Sequence, residues 1–243
     1  MTNRQRADRL LVARGLFASR AQAQAAIAAG RVSADGVVVG KASDAIATGA
    51  VIEAEPAHPF VSRGGVKLAA ALDHFRIDVT GRVCVDVGAS TGGFTQLLLH
   101  RGARRVYAVD VGRGQLHASL RDRREITALE QTDIRSLDAA RIGEQPNLAT
   151  VDVSFISLKL VVPPIGKLLR PGGRLLALIK PQFEAGRAEL KKGIVRDAEI
   201  HARVCDDIAE FLAAQGWHVG GRTPSPILGG DGNAEFFIEA ELG

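Results

Sequence analysis

Cysteine is scarce in this 243-residue chain, and Cys84 and Cys205 stand far apart. Two such thiols make neither a disulfide framework nor the paired spacing of a zinc site, and they fit a reducing cytoplasm. Metal-ligand spacing is missing as well. The six histidines, His58, His74, His100, His117, His201 and His218, form no i, i+4 pair and no carboxylate-linked cluster, so no metal is expected. No apolar run approaches the roughly 20 residues of a membrane helix, and the start, Met1 to Arg6, has no hydrophobic stretch behind its charges. These absences predict a soluble, unexported, cytoplasmic protein with no membrane partner.

Excess charge is also lacking, since the formal net charge is only +4. Its position is informative. Residues 1–50 hold Arg4, Arg6, Arg9, Arg14, Arg20, Arg31 and Lys41 against Asp8, Asp35 and Asp44, so this stretch at the head of the chain nets +4 and the remaining 193 residues balance to zero. Clustered cations release counterions from phosphates, and a polyanionic partner is expected for the head. The alternative for each arginine is a solvated helix face.

In that head, Arg9 to Phe17 has helical apolar spacing with Gly15 as a stop. Ser19 is a candidate N-cap for a second helix in which Ala23, Ala26 and Ile27 share a face until Gly30. Short strands around Val32, Val37 to Val39 and Val51 to Ala54, with Asp35-Gly36 as a turn, complete a small α+β module. Pro56 and Pro59 mark a linker, which places the boundary between domains of residues 1–59 and 60–243.

Beyond it the rhythm is strand, glycine turn, helix, strand. Strands are expected at Arg82–Val87, Arg105–Val109, Ile126–Leu129, Leu148–Val151, Gly173–Ile179, Val219–Arg222 and Glu235–Glu239, and helices at Gln96–Arg101, Leu158–Leu169 and Ala198–Gln215. That order implies an α/β, Rossmann-like, mostly parallel seven-stranded sheet whose ligands bind beyond the carboxyl ends of the strands. The first turn reads Asp86-x-Gly88-x-x-x-Gly92-Gly93, with Ser90 where a dinucleotide fingerprint has its pyrophosphate-approaching glycine. S-adenosylmethionine (SAM) has no pyrophosphate, so the turn favours it over NAD. Asp110, about 20 residues beyond the turn, is a candidate acceptor for ribose hydroxyls. Asp133 is a candidate for the adenine amino group or a helix cap, and Asp86 for the cofactor's cationic end.

Four charged residues fall at loop or strand-end positions: Lys67, Asp152, Lys180 and Glu235. A lysine closing an apolar strand is desolvated, and Lys67 as a second cation would further favour a neutral Lys180 able to act as a base, while Asp152 and Glu235 orient the pair. The head resembles the S4-like RNA-binding domain through Arg9-Leu10, Gly15-Leu16, Ser19-Arg20, Ala23, Ile27, Gly30, Val32, Gly36 and Lys41. That resemblance makes Arg6, Arg9, Arg20 and Arg31 candidate phosphate contacts. In the body, Lys67, Asp152, Lys180 and Glu235 match in order the Lys-Asp-Lys-Glu tetrad of the FtsJ-like ribose 2'-O-methyltransferases. The motifs Ser62-Arg63-Gly64-Gly65-Val66-Lys67, Asp86 to Phe94, Asp152 to Leu158, Ile179 to Glu184 and Gly232 to Phe237 carry the likeness. Together the two parts resemble the TlyA family, rRNA cytidine 2'-O-methyltransferases historically labelled hemolysins.

The resemblance implies a class I SAM-dependent methyltransferase with Lys180 as general base, and Gly88, Ser90, Gly92, Gly93, Asp86, Asp110 and Asp133 around the cofactor. It implies ribosomal RNA or subunits as partner, with 23S rRNA expected first because the chain ends soon after its last strand. A monomer is the default oligomeric state. An RNA-binding assembly factor without turnover, and a membrane-active hemolysin, are the competing readings.

Overall fold

The computed structural model describes residues 3–17 and 19–243. The chain divides into two compact units, Met1–Pro59 and Phe60–Gly243. In the small unit, β1 (Arg4–Arg6) leads into α1 (Ala7–Ala13), followed by α2 (Arg20–Ala28), β2 (Val32–Ala34), β3 (Val37–Val38), β4 (Ala45–Ala47) and β5 (Ile52–Ala54). Helix α1 starts two residues earlier than expected and stops at Ala13, because Gly15 takes the left-handed backbone, φ +71°, that ends a helix. Ser19 Oγ accepts from Gln22 N at 3.3 Å, which caps α2. Asp35 and Gly36, both at positive φ, form the tight turn between the paired strands β2 and β3. Leu10 and Leu11 of α1 pack with Ala23, Ala26 and Ile27 of α2 over Val32. The apolar stripes of both helices thereby face one core and leave the arginines outside.

The large unit runs α3 (Gly64–His74), β6 (Val83–Val87), α4 (Gly93–His100), β7 (Arg105–Val109), α5 (Ala118–Arg121), β8 (Ile126–Leu129), β9 (Leu148–Val151), α6 (Leu158–Leu168), β10 (Arg174–Ile179), α7 (Pro181–Glu184), α8 (Ala198–Ala214), β11 (Trp217–Pro224) and β12 (Phe236–Leu242). Its seven strands lie in the order β11-β12-β10-β9-β6-β7-β8. The five from β10 to β8 are parallel, while β12 pairs antiparallel with β10 and β11. Strands β7, β8 and β9 have the bounds expected from the sequence. Helix α3 was not anticipated, although Leu68, Ala71 and Leu72 carry its periodicity and are buried.

Side chains of β6 alternate across the sheet. Val83, Val85 and Val87 join the core under α6 and α8, and Cys84 joins the one under α3 and α4. Asp86 follows the parity of Cys84, toward α4. This alternation decides what Asp86 can touch.

Candidate active site

In an open sheet of this kind the loops after the parallel strands collect at one edge. Strand β6 ends there in the Gly88–Gly92 turn, β9 in Asp152, and β10 in Lys180. The antiparallel register Ile179↔Phe236 brings Glu235, just ahead of β12, to the same edge. A cavity of about 290 Å³ opens there, lined by Gly88, Ala89, Ser90, Thr91 and Gly93 on one side, Ser62 and Lys67 on another, and Asp152, Ser154 and Lys180 on a third. That volume is at the lower end for ligand sites.

All four residues of the predicted tetrad come together, but as two separate ion pairs. Lys67 Nζ donates to Glu235 Oε2 at 2.6 Å, with both side chains nearly buried. Lys180 Nζ lies 2.6 Å from Asp152 Oδ1 and donates to Ser154 Oγ at 3.0 Å. The Asp152 contact lacks hydrogen-bond alignment, so Oδ1 holds the ammonium by charge while Ser154 supplies the direction. Each cation therefore has its own carboxylate, rather than one compensated cluster.

The glycine turn is shaped by its neighbours. At Gly88, φ +83°, a Cβ would stand 2.4 Å from the Asp152 carbonyl oxygen, so the backbone must stay bare where β6 and β9 part. Gly92, φ +93°, is outside the cavity lining, and a side chain there would collide with Leu116 and Leu120. Its role is packing at the start of α4. Ser90 sits at φ +47°, and its N–H donates to Asp110 Oδ2 at 2.8 Å while Gly112 N donates to Oδ1 at 2.7 Å. Asp110 thus pins the turn, and each of its oxygens keeps a further lone pair.

Two predicted cofactor acids are placed differently. Asp86 is away from the mouth: it has no exposed surface, accepting from Thr95 Oγ1 at 2.6 Å and from Thr150 Oγ1, its register partner, at 3.1 Å. Burial pushes its pKa up to about 7, against the opposing threonine hydrogen bonds, with Asp152 adding to the rise. Asp133 accepts from Arg135 N and pairs with the Arg135 side chain at 2.6 Å, so it caps a 3-10 turn and does not line the cavity. Of the cofactor candidates, Gly88, Ser90 and Gly93 line the cavity directly.

Sequence reasoning missed Ser154, Phe155 and Glu184, although all three stand inside motifs it singled out. Phe155 is 90% exposed at φ +64°, its ring 4.9 Å from that of Phe183. A phenylalanine held open in a left-handed conformation beside the cavity residues is costly unless its surroundings fix it. Glu184 does part of that, accepting from Ser157 Oγ at 2.5 Å and Leu158 N at 2.7 Å and so tying the loop after β9 to the one after β10. Burial raises the pKa of Glu184.

In the small unit, Arg6 and Arg20 both donate to Asp8, which is fully buried and also accepts from Gln24. The Arg6 guanidinium first, with Arg20 and Gln24 behind it, holds the Asp8 carboxyl below the usual carboxylate range. Arg31 pairs with Glu55 on the surface, and Arg9 is exposed.

Residues 60–242 match the family model of FtsJ-like methyltransferases, and residues 5–52 that of the S4 domain. The 16S/23S rRNA (cytidine-2'-O)-methyltransferase TlyA of Mycobacterium tuberculosis is 42% identical over 98% of this chain and 90% of its own. A structure solved from Streptococcus thermophilus under the name of a hemolysin aligns over 100% of this chain and 90% of its own, with TM-score 0.79 and 40% identity. A SAM-dependent methyltransferase from Mesorhizobium loti, 16% identical, has the fold of the large unit at TM-score 0.55 over 74% of this chain and 100% of its own.

Proposed function

Since the chain belongs to the FtsJ-like methyltransferase family, we propose that it methylates the 2'-hydroxyl of a cytidine ribose in ribosomal RNA, with SAM as methyl donor. The observation that carries this reading is Lys180 at the mouth of a cavity whose other wall is the bare glycine turn. The turn fits the donor. Gly88, Ser90 and Gly93 line the space, and Asp110 just after β7 has lone pairs left for ribose hydroxyls. When bound, SAM supplies an electrophilic methyl on a sulfonium.

Everything else falls to the chain's own groups. Lys180 takes the proton of the attacking 2'-hydroxyl at Nζ after giving up one of its own to solvent, and Asp152 balances the ammonium that forms. Ser154 aims Nζ, and the Lys67–Glu235 pair fixes the opposite wall without adding net charge. Phe155 offers an exposed aromatic face on which the base of the target nucleotide can stack. Arg6, Arg9, Arg20 and Arg31 supply the phosphate contacts.

The test is transfer of labelled methyl from SAM to ribosomal subunits that lack the modification, with the nucleoside mapped by mass spectrometry. Both 23S and 16S rRNA are offered, 23S being the first target. A 2'-O-methylcytidine formed by the wild type, with transfer reduced about 100- to 10,000-fold in Lys180→Ala and SAM affinity retained, supports the reading. No transfer by the wild type, or undiminished transfer by the variant, refutes it. The hemolysin name of one relative points instead to membranes. No helix among the described residues is long and apolar enough to cross one, and dye release from liposomes checks that alternative.

A further inference from the structure

Beyond α7 the chain makes a tight hairpin that the proposed chemistry does not use. Lys191 and Ile194 pair backbone to backbone, N to O in both directions, at 3.0 and 3.1 Å. The two central residues, Lys192 and Gly193, are both at positive φ, +53° and +78°. Such a turn favours asparagine, aspartate or glycine at its first central position. Lysine there accepts backbone strain and sets its ammonium at the tip.

The hairpin is anchored from below. Asn233, 2% exposed, accepts from Val195 N at 3.2 Å and donates from Nδ2 to Gly193 O at 3.2 Å, so one side chain grips the turn at two points. Asn233 stands two residues before Glu235, a separation of at most about 7 Å along the chain. The same segment that holds Lys67 thus holds the hairpin at the edge of the sheet where Lys180 lies.

The charges around the turn are unspent. Lys191, Lys192 and Arg196 are exposed and have no ion pair among the described residues. Two of the nearby carboxylates are engaged elsewhere, Glu189 with Arg203 and Gly186 N and Asp197 with Glu199 N at the start of α8, while Glu199 and Asp231 are exposed and form no ion pair with the turn. A strained, doubly anchored turn that raises unpaired cations beside the catalytic edge fits a polyanion whose reacting group lies in the cavity.

We propose that the Lys191–Ile194 turn is a second RNA-contacting element, set on the catalytic unit, which grips backbone phosphates next to the target ribose. The inference rests on the rRNA reading and adds a contact surface to it.

The experiment compares salt dependence of binding to ribosomal subunits for the wild type, for Lys191→Gln with Lys192→Gln, and for Arg123→Gln with Arg124→Gln. The last pair removes equal charge just ahead of β8, at the opposite edge of the parallel sheet. Each lost phosphate contact lowers the slope of log affinity against log salt by about 0.7 to 0.9. The lysine pair is expected to lower it by about 1.5, with melting temperature and SAM affinity at wild-type values, and the arginine pair by less than about 0.5. Equal slopes for the lysine variant and the wild type overturn the proposal, as do equal losses in both variants, which would mean that only net charge is felt. Wild-type protein that neither binds subunits nor transfers methyl refutes the rRNA reading itself. Wild-type protein that does both, with an unaltered lysine variant, refutes only the turn. Asn233→Ala, which frees the turn without removing charge, is expected to fall between the wild type and the lysine pair in affinity.

Discussion

Asp8 in the small unit and Asp86 in the large one are the same residue, and neither exposes any surface, but Asp8 lies shallow in its unit while Asp86 lies deep in the sheet, and they end in opposite electrostatic states. Two guanidiniums and an amide converge on Asp8 and hold its carboxyl below the usual range. Two threonine hydroxyls meet Asp86, and burial pushes its pKa up to about 7. A neutral donor does not repay the loss of water around a carboxylate, and a cation does. What differs is depth and, with it, where a cation can stand. Asp8 lies under helices whose outer face carries arginines, so its partners reach the surface and keep part of their charge there, with side chains 42% and 51% exposed. Strand β6 is covered on both faces, and among the described residues Asp86 meets the hydroxyls of Thr95 on α4 and Thr150 on β9 and the Thr95 backbone, none of them a cation.

Glu235 tests this contrast most severely, because it is a buried carboxylate whose cationic partner, Lys67, is buried too. Removing one member of such a pair strands the other. Glu235→Gln is expected to cost about 3 to 5 kcal/mol, a fall in melting temperature of order 10 °C for the large unit. Thermal unfolding followed by circular dichroism checks it. A loss under about 1 kcal/mol would show that Lys67 finds water or another partner, and that the pair does not hold the cavity wall.

How far the sequence foretold this depends on whether a feature is local. Strand bounds β7, β8 and β9 follow from short apolar runs between turn residues, and the caps at Gly15 and Ser19 from residue types with one strong conformational use. The gathering of Lys67, Asp152, Lys180 and Glu235 was legible as order along the chain, through resemblance, while their division into two pairs was not. That division depends on the register Ile179↔Phe236 and on the course of α3, which are long-range. Asp86 was misplaced for a related reason: strand parity turns it toward α4, and its motif position alone does not reveal that. Ser154 and Glu184 lay within quoted motifs, but their partners, Lys180 and Ser157, stand 26 and 27 residues away.

The second way to sharpen the contrast is to neutralise Asp86. A carboxyl whose folded pKa is raised is worth most to stability below its unfolded value, near 3.9, and that contribution is lost as pH climbs toward 7. Asp86→Asn lacks this titration. Relative to the wild type, the variant should therefore gain stability between pH 5 and pH 8, by about 3 kcal/mol and level above pH 8, read as a widening gap in melting temperature. An equal gap at both pH values would mean that Asp86 stays in one charge state across the range, and the opposition to Asp8 would then be one of degree.

Asp8→Asn makes the smallest change of the three, and the reason is the exposure of its partners. Asparagine keeps an acceptor, and Arg6 and Arg20 can return to water once the charge beneath them is gone, unlike the stranded Lys67. The expected cost is about 1 to 3 kcal/mol at neutral pH, confined to the small unit. The sign of its pH dependence is the reverse of that for Asp86. A carboxyl with a depressed folded pKa stabilises above its unfolded value and loses that contribution as pH falls through the acid range. Wild-type protein should therefore soften below about pH 4 in a way the variant does not. RNA binding separates anchoring from charge. The variant gains one formal positive charge, so a purely coulombic head would bind subunits more tightly, whereas arginines that need Asp8 to face phosphates together would bind more weakly despite the added charge. Weaker binding with a folded small unit is the expected result. Tighter binding would reduce Asp8 to a structural tie between α1 and α2.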